Sequence, residues 1–356
     1  MGGAAGRTGT AVTAAAAGGL RETAVTLAIG AVGAALFLWL GFPAAMLTGP
    51  ALFVTLASLA GVPTAIPQRL RDLCFVVVGV GIGANVTPEV IDAVRLWPIS
   101  LLALAVLTVV GILAGKAMLV RWFGYQPLSA FLAAIPGHLS LVLGLTADRD
   151  GDVPRVTLVQ SLRVLFLTLF IPAILGLTAD MPHGLPPPPA PMRPVELIAL
   201  LLASGGLGLV FLRLRAPAPL LLAGIVLSTA THVAEWTTGP SPQWLTYAAF
   251  LVLGALIGTR FRGTDLALLR SSLLTGVAVT ALMGALAAAF AFALAPLIDL
   301  SPALLLIAFA PGGLEAMIAM SVQLGLDPAF VTAHHVFRLL FLTALIPAMI
   351  PPRRAG

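Results

Sequence analysis

AIPGHLSLVLGLTADRDGDVPRVTLVQSLRVLFLTLFIPAIL, residues 134–175, and FAPGGLEAMIAMSVQLGLDPAFVTAHHVFRLLFLTALIPAMI, residues 309–350, are two copies of one pattern. Residue n matches residue n+175 without a gap, and 14 of the 42 positions are identical. The identities include Pro136/Pro311, Gly137/Gly312, Asp152/Asp327, Arg163/Arg338 and Pro172/Pro347. In each copy a Pro-Gly break interrupts an apolar stretch, and an arginine follows inside the next one. The arms flanking the break are about 9–10 residues, or about 14 Å of helix, half a bilayer. That length predicts a re-entrant hairpin: in along one arm, a turn at Pro-Gly, back along the other. Irregular backbone survives at such depth only against protein or a wet cavity.

Composition places the whole chain in a membrane. Hydrophobic residues are 59% and charged residues 9% of 356, with mean hydropathy +1.06, whereas a soluble domain is about 25% charged. One cysteine, Cys74, excludes a disulfide framework and a thiolate metal cluster. The net charge of +5 is no nucleic-acid signal, because the basic residues sit singly at segment ends. Residues 1–21 read as a Gly/Ala/Thr-rich tail. The first long apolar run begins near Thr23 and is long enough to span the bilayer rather than serve as a signal core.

Six segments are expected in each half. They are 22–41, 43–61, 70–86, 98–120, 127–147 and 155–178, then 195–212, 217–235, 244–259, 271–297, 302–324 and 329–350. The division is therefore a first membrane repeat (22–180), an extended Pro-rich linker (181–194) and a second repeat (195–352). Phe75-VVVGVGIG pairs with Phe250-LVLGALIG, so Gly79/Gly83 correspond to Gly254/Gly258. These read as GxxxG helix packing and not as a nucleotide loop, since no strand–turn–helix context surrounds them.

Basic residues set the topology. The first half carries Arg69, Arg71 and Arg121 after its second and fourth segments. The second carries Arg213, Arg215, Arg260, Arg262 and Arg270 after its first and third. The bias is inverted, so an odd number of crossings separates the halves. With the fifth and eleventh segments re-entrant, ten crossings remain, both termini are cytoplasmic, and 14 of 19 basic residues lie inside. The expected fold is all-α integral membrane: two inverted-topology repeats, each of about five transmembrane helices plus one Pro-Gly hairpin.

Several residues are candidates for chemistry. Arg163 and Arg338 fall near the midplane, where a charge is a functional hypothesis by default. They read as an anion-binding pair, because guanidinium offers a fixed fork of donors. The alternatives are an internal ion pair or bonds to free carbonyls at the hairpin tips. His334 and His335 share a helix with Arg338, and Gln160 holds the place equivalent to His335. Substrate or proton handling competes there with polar packing and, more remotely, with metal binding. Glu315, just past the Pro311-Gly312-Gly313 turn, is the candidate coupling group for a proton or sodium ion, raised in pKa by burial or paired with Arg338 or Arg163. Its counterpart, Ser140, cannot titrate. His138 and the Pro136-Gly137 tip complete the expected site, with helix N-termini favouring an anion. Asp152 and Asp327 read as helix N-caps.

The duplicated Pro-Gly hairpin with its Arg-bearing helix, Pro-x-x-x-Leu-x-Gly-Pro at 43–50, PGG-x-E at 311–315 and His-His-x-x-Arg at 334–338 resemble the bacterial AbrB-type membrane family. Its members are often labelled ammonia monooxygenase or transcriptional regulator. The resemblance spans about residues 22–350 and implies a protein of the inner (cytoplasmic) membrane linked by name to regulation of gene expression. Thr48-Gly49-Pro50 departs from its partner Leu222-Ala223-Gly224. The reading that leads is a secondary transporter of a small anionic organic solute, coupled to H+ or Na+. The second is a ligand-binding membrane regulator, and a metal monooxygenase comes last, since the five histidines show no chelating spacing. No enzymatic activity, cofactor or metal is expected. Expected partners are the solute, the lipid bilayer, the coupling ion and, as a homodimer, a second copy of the chain; nucleic acid is not among them.

Overall fold

The computed structural model describes residues 19–84, 97–137, 139–149, 151–178 and 190–349. The N-terminal tail, most of the Pro-rich linker and His138 lie outside them. The described chain is all helix: α1 (Leu20–Trp39), α2 (Ala45–Leu59), α3 (Gln68–Gly83), α4 (Trp97–Phe123), α5 (Pro127–Ala134), α6 (Leu139–Asp148) and α7 (Val153–Thr178), then α8 (Pro194–Arg213), α9 (Pro219–Val233), α10 (Gln243–Thr259), α11 (Leu266–Ile298), α12 (Pro302–Phe309), α13 (Leu314–Gln323) and α14 (Pro328–Met349). Six of these, α1, α4, α7, α8, α11 and α14, are long and apolar enough to cross a membrane; α2, α9, α10 and α13 are shorter apolar helices. Their exposed faces carry large apolar side chains such as Leu102, Leu202, Leu274 and Phe292. A soluble surface does not present so many, and these faces suit lipid. The chain is a multi-pass membrane protein.

The left-handed Ala44 before α2 matches the left-handed Ala218 before α9. A non-glycine residue is uncommon there, so the two 15-residue helices begin in the same unusual way.

Packing sorts the helices into two groups, each drawn from both halves. In the first group α1 packs on α2 and α8 on α9, while α2 lies along α10 and α3 along α9. The glycines explain how close these pairs come. A methyl on Gly79 would strike the Leu221 carbonyl, and one on Gly83 would stand 2.5 Å from that of Ile225. Gly254 meets Leu47 and Gly258 meets Val54 and Thr55 in the same way. Small residues let the backbones approach, which is how helices associate without a hydrophobic driving force. The second group holds α4–α7 and α11–α14, with α7 and α4 packed on α11 and α14 on α4. Contacts between the groups are sparser and run mainly through α7 and α13.

The Pro-Gly stretches are the breaks between α5 and α6 and between α12 and α13. Gly137 has φ +79°, a conformation that a side chain would strain. The Asp152 N–H donates to Ser129 Oγ at 3.1 Å, so the chain leaving α6 returns to the start of α5. At that end the Arg155 guanidinium lies over the Tyr125 ring, just past α4. The opposite end of α4 touches the start of α14: Ser100 Oγ is 2.8 Å from His334 Nε2, and the Trp97 ring meets Phe330 edge-on.

Candidate functional site

The site grows from a backbone problem. A helix leaves its last carbonyls without N–H partners, and α5 and α12 both end inside the protein. Pro136 and Pro311 lack the N–H that would continue the ladder. The donors come from α7 and α14. Arg163 Nη2 donates to Ile135 O (3.0 Å) and Nη1 to Ala133 O (3.3 Å), while Gln160 Nε2 donates to Leu132 O (3.0 Å). Arg338 Nη1 donates to Ala310 O (2.9 Å) and Phe309 O (3.4 Å), and Nη2 to Gly312 O (3.5 Å). The arginines are therefore fastened to the tip carbonyls, one of the alternatives the residues left open. Asp152 and Asp327 cap the starts of α7 and α14, accepting from Arg155 N, and from Ala329 N and Phe330 N. Both arginine helices thus begin at a fixed point.

The two tips come together. Pro136, Pro311, Phe309 and Arg338 line one small cavity with Thr108 of α4 and Met283 of α11. A methyl on Gly137 would lie 3.5 Å from Leu339 Cδ2 of α14, and one on Gly313 would lie 3.5 Å from Val164 Cγ1 of α7. Each tip rests on the other half's arginine helix, and 164 and 339 are again 175 apart. Arg163 is 0% exposed and Arg338 3%. Their Nε groups find no hydrogen-bond partner among the described residues, and no carboxylate there pairs with either guanidinium. Gly313 opens α13 at this place without a side-chain cap.

The histidines split. His334 is held by Phe330 O at Nδ1 (2.8 Å) and Ser100 Oγ at Nε2 (2.8 Å), against the Phe330 and Trp97 rings. His335 Nδ1 reaches Val331 O at 3.0 Å, and its buried Nε2 finds no hydrogen-bond partner among the described residues. The ring also faces the Ala310 carbonyl of the second tip. Among the described residues no three His, Cys, Asp or Glu side chains converge.

Glu315 overturns its expected pairing. Its Oε1 accepts from Arg260 Nη2 at 3.1 Å, not from Arg338 or Arg163. Those two are turned to the tip carbonyls, while Arg260, just past α10, reaches over from the first helix group. Arg260 counted in the sequence only as one of many positive segment ends. Ser100, Thr108 and Met283 were likewise missed, having no signal beyond an apolar context. A larger cavity of about 400 Å³ lies between α7, α11 and α12, lined by Phe166, Phe170, Ile171 and Phe292. It holds no charged group and does not fit an anion.

A family profile described as "Transition state regulatory protein AbrB" matches residues 46–351. The chain belongs to the AbrB family. It is 25% identical over 321 residues to a protein of Escherichia coli (strain K12) named as a regulator, AbrB, covering 88% of this chain and 91% of that one. It is 26% identical over 301 residues to the uncharacterized protein YhjN of Bacillus subtilis (strain 168), covering 79% and 78%. No solved structure matches. This AbrB-family chain thus has relatives of nearly its own length.

Proposed function

We propose that this AbrB-family protein is a secondary transporter of a small anionic organic solute, coupled to H+ or Na+, in the bacterial inner membrane with both termini cytoplasmic. The observation that carries the reading is the pair of buried guanidinium groups with no carboxylate beside them among the described residues. Two uncompensated cations in a dry interior are costly. The tip carbonyls offset part of that cost, and a bound anion would offset the rest. The uncapped α13 N-terminus adds partial positive charge at the same place.

The helix directions support alternating access by inverted repeats. α7 begins at the end of α4, beside Tyr125, and α14 begins at the start of α4, beside Trp97 and Ser100. A helix of 27 residues is about 40 Å long, so α7 and α14 set out from opposite ends and run oppositely. Two hairpins would then enter from opposite faces and meet near the middle, the arrangement of inverted-repeat carriers. The sparse contact between the two helix groups leaves one free to move against the other.

A second reading rests on the Escherichia coli relative's description as a regulator: a membrane protein that binds such a solute without moving it. Uptake of labelled mono-, di- and tricarboxylates into proteoliposomes, with and without a proton or sodium gradient, separates the two. Gradient-driven accumulation of any of them supports transport. Binding to purified protein without accumulation under any gradient supports the regulator.

A further inference from the structure

We infer that Arg260 is a tethered competitor for the cation site on Glu315, so that the carboxylate holds either the Arg260 guanidinium or a monovalent cation and, in exchanging them, locks or releases the two helix groups. The inference rests on the transporter reading of Glu315 as the coupling group.

Three observations carry it. The first is where the pair sits. Glu315 is on α13, in the hairpin group, and Arg260 follows α10, in the other. The remaining ion pairs among the described residues, Arg71–Asp72, Arg155–Asp152, Arg193–Glu196 and Arg262–Glu22, each stay within one group. The second is exposure. The Arg260 and Glu315 side chains are 22% and 15% exposed, so the pair is not sealed in the interior as the two tip arginines are. The third is asymmetry. The positions equivalent to Glu315 and Arg260 are Ser140 and Asn85, neither of which carries charge. A lock of this kind exists for one arrangement of the halves and not for its mirror image.

Apart from Arg69, the other charged groups on the elements packed against α13 are engaged elsewhere. α2 and α12 carry none. On α7, Arg155 is paired with Asp152 and Arg163 is bound to the first tip. On α14, Arg338 is bound to the second tip, and His334 and His335 are engaged at Nδ1 by their own helix. On α3, Arg71 pairs with Asp72, and Arg69 is the remaining cation on that helix. A proton or a sodium ion on Glu315 would displace the guanidinium, since the carboxylate's charge is what holds it. The joint between the groups would then open, and the hairpin group would be free to move with its anion.

Spin labels at Leu214→Cys and Trp122→Cys in a Cys74→Ala background report the distance between groups by pulsed dipolar spectroscopy in nanodiscs. Both positions are exposed and lie in different groups. At alkaline pH without sodium, one dominant distance is expected. Arg260→Ala should shift the ratio toward a second distance by roughly fivefold, the scale of a partly exposed ion pair. Arg260→Glu with Glu315→Arg should restore the first, which also shows that the fold survives. Acidification without sodium, and sodium addition at fixed alkaline pH, tell the proton from the sodium ion. Whichever acts should shift the wild type and not Arg260→Ala. An unchanged distribution in folded Arg260→Ala, or a cation response that survives in it, overturns the inference. If the distances respond as expected while no carboxylate accumulates in proteoliposomes, the lock stands and the transport reading falls. If accumulation is gradient-driven and the distances ignore Arg260, the reverse holds.

Discussion

The two Pro-Gly breaks are held in the same way and differ in chemistry. Each is a tip whose carbonyls are held by an arginine at the same place, and each tip leans on the other half's arginine helix. Around that common frame the polar residues diverge. Gln160 adds a second staple to the first tip, while His335 at the matching position bonds Val331 O of its own helix and faces the Ala310 carbonyl of the second tip. Val159 stands opposite His334, Ser140 opposite Glu315, and Asn85 opposite Arg260. At both tips the backbone carbonyls have the donors they require. Glu315, His334 and His335 have uncharged counterparts in the first half, whereas His138 at the first tip has Gly313.

The largest effect that would break this comparison is all-or-none. In a Cys74→Ala background, cysteines at Arg149 and Arg262 should label from the cytoplasmic side and one at Asp327 from the other. Labelling of 149 and 327 from the same side would end the inverted reading. Next come the staples themselves. Arg163→Ala and Arg338→Ala each strand buried carbonyls, and each should cost about 2–4 kcal/mol, read as lowered expression or a lowered melting temperature. Matching losses sharpen the comparison; a tolerated loss in one half would break it. Gly79→Leu and Gly254→Leu should each cost about 1–3 kcal/mol by forcing apart α3 from α9 and α2 from α10. Normal melting in both would remove the packing role. The smallest effect compares the polar neighbours of the two arginines. Gln160→Ala loses a bond to Leu132 O and His335→Ala one to Val331 O, each worth about 1 kcal/mol and read as a shift in melting temperature.

Much of the frame was legible in the sequence, for physical reasons. Pro136-Gly137 and Pro311-Gly312 stop helices wherever they stand, so the breaks after Ala134 and Phe309 were readable. Gly79/Gly83 and Gly254/Gly258 recur because close backbones admit nothing larger. The partners of those glycines were not readable, because a helix apolar on every side gives no periodicity to say what it faces. Nothing local marked α3 as lying along α9 across the halves. The same blindness hid the Glu315 pairing. Arg260 is 55 residues away and joined to it only by tertiary packing. Ser100 is 234 residues from His334 for the same reason. Depth along a helix could be counted; which neighbour waits there could not.

The central claim is that the buried arginines hold the anion as well as the tips, and Arg338→Lys tests it most directly. Lysine keeps the charge and can still reach one tip carbonyl, but it loses the planar fork. In proteoliposomes with an imposed proton or sodium gradient, the wild type should accumulate at least one labelled carboxylate. The Arg338→Lys protein, shown folded by its melting curve, should lose that accumulation by roughly tenfold or more, the scale of one charge-assisted hydrogen bond. A folded Arg338→Lys protein that accumulates the same carboxylate at the wild-type rate would contradict the account.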